Sequence, residues 1–163
     1  MHQRTGTISI DGNRATITFV RYLGHPIEKV WNAVTDPVQR AVWFGPTSIE
    51  PQVGGRIETT AEGPPAPVEV RQSKGIIRVW DPPNVFEYEE ESANVGKTVV
   101  RFELKAEGET TVLRLINSGL NISDAGGYAP GWHAFLDRLE SLLDDQQLPD
   151  WGERYGMVQS EYT

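Results

Sequence analysis

The chain has 163 residues, 38% of them apolar and 23% charged, which suits one water-soluble globular domain with a substantial core. A net charge of -8 argues against a general nucleic-acid binder, which needs a basic face for phosphates, and against adsorption to anionic membranes. The absence of cysteine excludes a disulfide framework, a thiol nucleophile and a thiolate metal site. No apolar run approaches the roughly 18–20 residues of a membrane-spanning helix, and the first dozen residues lack the apolar region of a secretory signal. A cytoplasmic location is expected, without membrane insertion.

Residues 5–10 and 15–22 alternate apolar and polar side chains, and Asp11-Gly12-Asn13 between them signals a hairpin turn. On the second strand Ile17, Phe19 and Arg21 share a face. The period then changes. Pro26 suits a helix start, and Ile27, Val30, Trp31 and Val34 recur at helical spacing until Asp36-Pro37 stops the run. A second short helix is expected over 38–42, followed by the aromatic corner Trp43-Phe44-Gly45-Pro46. Residues 49–60 read as one strand, bent at Gly54-Gly55. Residues 62–67, EGPPAP, form a loop, and 68–80 and 85–91 read as strands. Two further alternating strands cover 99–105 and 111–117, and 118–127 reads as a loop.

The stretch 126–145 carries the clearest helical pattern. Trp132, Phe135, Leu136, Leu139, Leu142 and Leu143 fall on one stripe, with His133, Asp137, Arg138, Glu140 and Asp144 mostly elsewhere. Because proline is best tolerated in a first turn, Pro130 places the helix start between Gly127 and Pro130. The tail after Pro149 is too short for a domain, and its Trp151, Tyr155 and Met157 suggest a strap over 146–163 folded onto a body spanning about 15–145. This order of strands, short helices, strands and long helix is an α+β architecture: an antiparallel sheet with helices gathered on one face.

Five motifs in this order resemble the Bet v 1-like, or START-like (SRPBCC), superfamily, and within it the family related to the activator of Hsp90 ATPase. They are His25-Pro26-Ile27-Glu28-Lys29-Val30-Trp31 with Thr35-Asp36-Pro37; Trp43-Phe44-Gly45-Pro46; Val53-Gly54-Gly55-Arg56-Ile57; Gly75-Ile76-Ile77-Arg78-Val79 with Asp81-Pro82-Pro83; and Gly131-Trp132 with Phe135-Leu136 and Leu139. The resemblance covers about residues 15–149. It implies a helix-grip fold: a curved antiparallel sheet wrapped around a long C-terminal helix, with two short helices after the first strand. It also implies an apolar cavity between sheet and helix that holds a small hydrophobic or amphipathic molecule, with no cofactor. Expected lining residues are Trp43, Phe44, Trp80, Phe86, Tyr88, Phe102, Leu113, Leu115, Asn117, Tyr128, Trp132, Phe135, Leu136 and Leu139. Trp43 and Phe44 belong at an entrance. Tyr88, Asn117 and Tyr128 supply hydrogen bonds.

Catalytic signals are sparse. His2 lies in a terminus expected to be unstructured, His25 precedes a proline, and His133 sits off the helical stripe. No pair has metal-ligand spacing, and no nucleophile motif is present. Glu87, Glu89, Glu90 and Glu91 read as a solvated strand edge, with an acidic docking face or a paired-carboxylate site as the alternative. The resemblance leaves two other functions open: a protein-interaction module partnering a chaperone, and an enzyme like the superfamily's polyketide cyclases. Either a monomer or a homodimer fits.

Overall fold

The computed structural model describes residues 3–92 and 95–162, so His2 lies outside the described residues. The elements are β1 (Thr7–Asp11), β2 (Arg14–Leu23), α1 (Ile27–Thr35), α2 (Pro37–Trp43), β3 (Thr47–Ile49), β4 (Arg56–Thr60), α3 (Val68–Arg71), β5 (Gln72–Asp81), β6 (Val85–Ser92), β7 (Gly96–Glu107), β8 (Thr110–Asn121), α4 (Ile122–Leu143) and α5 (Trp151–Val158). A 3-10 turn, Gln159–Tyr162, closes the chain. All eight strands join one antiparallel sheet in the order β1-β2-β8-β7-β6-β5-β4-β3. Register shifts between Ala15 and Ile17 and between Ile77 and Val79 mark irregularities that bend and twist the strands. The curved sheet grips α4, as the resemblance implies.

Alternation decides what each strand buries. On β2, Ala15, Ile17, Phe19, Arg21 and Leu23 point into the core. Phe86 and Tyr88 of β6, Val100 and Phe102 of β7, and Leu113 and Leu115 of β8 meet them there. At the α1 end, Trp31 packs on Trp80 and Phe86 with ring centroids 5.3 and 6.4 Å apart.

Four local expectations are corrected. The stretch 49–60 is not one bent strand: residues 50–55 turn between β3 and β4. Gly54 has φ 82°, and a Cβ on Gly55 would lie 2.1 Å from the Glu50 carbonyl oxygen, so neither position suits a side chain. Residues 68–71 form the short helix α3 ahead of β5, instead of the first part of a strand. The acidic run lies on β6, inside the sheet between β5 and β7, so it is no edge. Its outward members pair across strands: Glu87 with Arg78 and Arg101, and Glu89 with Arg78 and Lys97.

The fourth correction concerns α4, which follows β8 directly and starts at Ile122 instead of beyond Gly127. Pro130 therefore sits inside the helix and offers no N–H to the Gly126 carbonyl, a loss of about 3 kcal/mol in an exposed helix. Burial of Ala125, Ala129 and Trp132 around it favours the helix nonetheless. The middle of α4 is enclosed on nearly every side, because the sheet covers the apolar stripe and the chain termini cover the opposite face.

That opposite face is an ion network centred on Asp137. Arg4 and Arg21 donate to its Oδ1 at 2.7 and 2.8 Å, and Arg154 of α5 donates to its Oδ2 at 2.6 Å. Glu140 also accepts from Arg4 and Arg21. His133, which is 2% exposed, shares a 2.8 Å hydrogen bond with the Tyr162 hydroxyl, and that hydroxyl accepts the Gly6 N–H at 2.9 Å. Arg138 on a third side donates to the Val42 and Trp43 carbonyls at the end of α2 and to Pro149. The network and Arg138 together fix α2 and α5 against α4.

Candidate ligand cavity

A cavity of about 650 Å³ opens between the first half of α4, strands β5 and β6, the loop 61–67 and α5. Six aromatic rings stand on its lining. Phe44 stacks on Trp132 with centroids 5.4 Å apart and planes 20° apart, and Trp151 stacks on Tyr155 at 5.0 Å and 29°. Phe135 lies between the two pairs, 4.4 Å from Phe44 and 5.5 Å from Trp151. Gly63 of the loop abuts the Trp151 indole so closely that a Cβ there would fall 2.2 Å from the ring. Arg71 of α3 holds the same loop by donating to Ala61 O at 2.6 Å and Ala66 O at 2.9 Å.

The polar groups gather at one end, from Ser73, Glu90, Ser92, Asn117, Asp124 and Tyr128. Asn117 is engaged at both ends of its amide: Oδ1 accepts the Trp132 Nε1–H at 3.1 Å, and Nδ2 donates to Val99 O at 3.0 Å. The Tyr128 hydroxyl is hydrogen-bonded with Ser92, and burial pushes its pKa up to about 12. Ser73 Oγ donates to Glu90 Oε2 at 3.0 Å. Burial raises the Glu90 carboxyl above its ordinary range, while the Ser73 bond and the charge of Arg40 pull the other way.

Residues 24–144 match the family described as activator of Hsp90 ATPase homolog 1-like protein. The chain belongs to this family. No curated protein matches it in sequence. In fold it is similar to CalU16 from Micromonospora echinospora, at 20% identity over 97% of this chain and 92% of that one, with a TM-score of 0.74. It is also similar to MLL2253 from Mesorhizobium loti, at 28% identity over 82% of this chain and 99% of that one, TM-score 0.70. The protein encoded by gene BPP1335 of Bordetella parapertussis matches at 26% identity over 97% and 88%, TM-score 0.72.

In this member of the Hsp90-activator-like family, five of the fourteen residues expected along a cavity line it: Phe44, Asn117, Tyr128, Trp132 and Phe135. Trp43, Phe86, Tyr88, Phe102, Leu113, Leu115, Leu136 and Leu139 lie in the closed core. Trp80 packs on Trp31 and Phe86, away from the cavity. The division has a physical cause. The rings of α1, α2 and β6 fill the space under one end of the sheet, so the opening is displaced toward β5, α3 and the start of α4. Trp43 donates its indole N–H to Ala33 O at 2.8 Å, and only its neighbour Phe44 reaches the opening. The Tyr88 hydroxyl faces the buried guanidinium of Arg40, whose Nη2 donates to it at 3.4 Å.

Glu90 is the polar residue that sequence reasoning passed over. The signal was present, since Glu90 shares the inward parity of Phe86 and Tyr88 on one strand. Its position in a run of four glutamates hid it. The loop residues Gly63, Pro64 and Pro65 and the tail residues Trp151 and Tyr155 carry no local pattern that assigns them to a wall. They become neighbours only through the tertiary fold.

Proposed function

We propose that this chain binds a small, mainly apolar molecule with a polar end in the cavity between α4, the sheet and α5. The observation that carries the reading is the cavity itself: about 650 Å³ of space walled by Phe44, Trp132, Phe135 and Trp151 and polar at one end. That volume lies within the range of about 300–1,000 Å³ common to small-molecule sites, and this lining has their usual character. Aromatic walls supply affinity through burial, discounted by the freedom the ligand loses. The polar end, with Ser73, Glu90 and Tyr128, supplies orientation.

Native mass spectrometry of protein purified from its own host, before and after denaturation, tests the reading. A small molecule released only on denaturation is the expected result. Trp132 and Trp151 provide a second measurement, because an apolar probe entering the cavity should quench their fluorescence saturably. Bare protein in the native spectrum together with no saturable quenching by apolar probes overturns the proposal.

A further inference from the structure

Three charged side chains line the cavity: Arg71, Glu90 and Asp124. Two already have structural work. Arg71 is tied to the loop carbonyls of Ala61 and Ala66. Asp124 stands in the first turn of α4, where it complements the positive end of the helix and accepts from Asn121 Nδ2 at 3.2 Å. Glu90 differs. Its one direct partner is the neutral hydroxyl of Ser73, and among the described residues no Lys, Arg or His nitrogen lies within 4.0 Å of it. The cation that acts on it from a distance, Arg40, is sealed from the cavity. Arg40 is 0% exposed, donates to Val34 O at 3.0 Å, and lies with its guanidinium 5.0 Å from the centre of the Phe44 ring.

We infer that the molecule taken up by this cavity carries a positively charged nitrogen, a protonated amine, that pairs with Glu90. The inference rests on the binding reading above and names the chemistry of the ligand's polar end. Glu90 is half-buried, and a ligand filling the cavity strips its carboxylate of more water, which is unfavourable unless the ligand brings a cation to it. A neutral head leaves Glu90 without that partner, and an anionic head meets the two carboxylates Glu90 and Asp124 against the single charge of Arg71. Trp132, Tyr128 and Phe44 line the same cavity, and aromatic rings attract alkylammonium groups.

A pH signature follows. The groups around the Glu90 carboxyl are Ser73 on β5, Arg71 on α3, Asp124 and Tyr128 on α4, Tyr88 on its own strand and Arg40 behind the ring wall. Burial holds Glu90 above its ordinary range, so pairing with an ammonium group drives a proton off it. Amine affinity rises as pH rises through the free-state titration of Glu90, and an uncharged probe shows no such slope.

Three probes with one apolar body test this: naphthylmethylamine, naphthylmethanol and naphthoate, titrated by fluorescence into the wild type and Glu90→Gln. The wild type should bind the amine at least about tenfold more tightly than the carboxylate, the effect of one well-placed charge pair. In Glu90→Gln that gap should close, with the amine losing more affinity than the alcohol. Equal binding of all three, a preference for naphthoate, or an amine preference that survives in Glu90→Gln overturns the amine assignment and leaves the cavity reading standing. Failure of all three probes in the wild type, together with bare protein in the native spectrum, overturns both.

Discussion

Helix α4 separates two regions that treat charge in opposite ways. On one face Asp137 is enclosed by Arg4, Arg21 and Arg154, and Glu140 shares two of those partners. On the other face, a turn or two away, Tyr128, Trp132 and Phe135 border open space, and the carboxylate across it, Glu90, has a hydroxyl for company. Helix α5 belongs to both regions: Arg154 joins the network, while Trp151 and Tyr155 wall the cavity. The contrast explains how a protein keeps a hole in its interior. The ordinary drive to close-pack is resisted by a wall that is held from behind by charge pairs, and the unpaired group is left inside the opening. The two faces also respond to pH with opposite sign. Burial alone would raise the Asp137 carboxyl, but the Arg21 and Arg154 partners outweigh it and hold Asp137 below the usual carboxylate range. Its contribution is present above the unfolded value and is lost as pH falls through the folded one. Burial lowers the neighbouring His133, which therefore weakens the fold on acidification in the same sense.

The sharpest way to break this division is Asp137→Ala. It leaves Arg21, which is 2% exposed, with Glu140 as its one remaining carboxylate beside the Arg4 carbonyl, and removes the Arg154 anchor of α5. Losing one partner of a buried ion pair costs about 3–5 kcal/mol. Urea denaturation should show that loss, and apolar probe affinity should fall as well because Trp151 and Tyr155 depend on the same anchor. Full stability in this variant would show that the network does not hold the wall. A smaller effect is expected from Gly63→Ala on the cavity side. The added methyl falls 2.2 Å from the Trp151 ring, so the loop or α5 must move, at about 1–3 kcal/mol. Probe affinity should change more than in a substitution of the same size on the outer sheet face. An unchanged probe titration would remove the loop from the list of walls.

How much of this comparison can be read without coordinates depends on the range of the signal. The gripping sheet was legible because strand alternation and the long apolar stripe of α4 are local patterns, and five family motifs stand in the expected order. Trp132 and Phe135 were legible as cavity candidates for the same reason. The split of the fourteen candidates was not, because an inward-pointing Leu113 and an inward-pointing Asn117 have the same parity, and only packing decides which of them meets empty space. The Asp137 network was hidden because its partners lie at residues 4, 21 and 154, far apart in sequence. Arg21 gave a partial clue by falling on the buried face of β2 with Ile17 and Phe19. The start of α4 was misread because Pro130 was weighed by local propensity, while burial of Ala125 and Ala129 decides the matter.

A finer probe of the network is Tyr162→Phe. The hydroxyl bridges His133 Nδ1 and the Gly6 N–H, and its removal leaves both without that partner. A net loss of about 1 kcal/mol is expected in thermal or chemical unfolding, typical of one buried hydrogen bond. Probe binding should be preserved, because Trp151 and Arg154 remain in place. A collapse in probe affinity here, without comparable loss of stability, would mean that the 3-10 turn acts on the cavity by a route other than the Asp137 anchor.

The smallest effect on stability is expected from Glu90→Gln, and its value lies in its sign. A carboxyl held above its ordinary range by burial favours the folded state while protonated. That contribution is complete below the unfolded carboxylate value and is lost as pH rises through the raised folded value. Glutamine keeps the shape and can still accept from Ser73, but it carries no charge to desolvate. Relative to the wild type, the variant should therefore gain stability on going from acid to neutral pH, while Asp137→Asn should lose its disadvantage only on going to acid. Denaturant titrations of the three proteins across the acid to neutral range compare the slopes directly. Parallel profiles for the wild type and Glu90→Gln would show that water reaches the Glu90 carboxylate freely. The cavity end would then be as well solvated as the outer sheet face, and the contrast between the two sides of α4 would rest on shape alone.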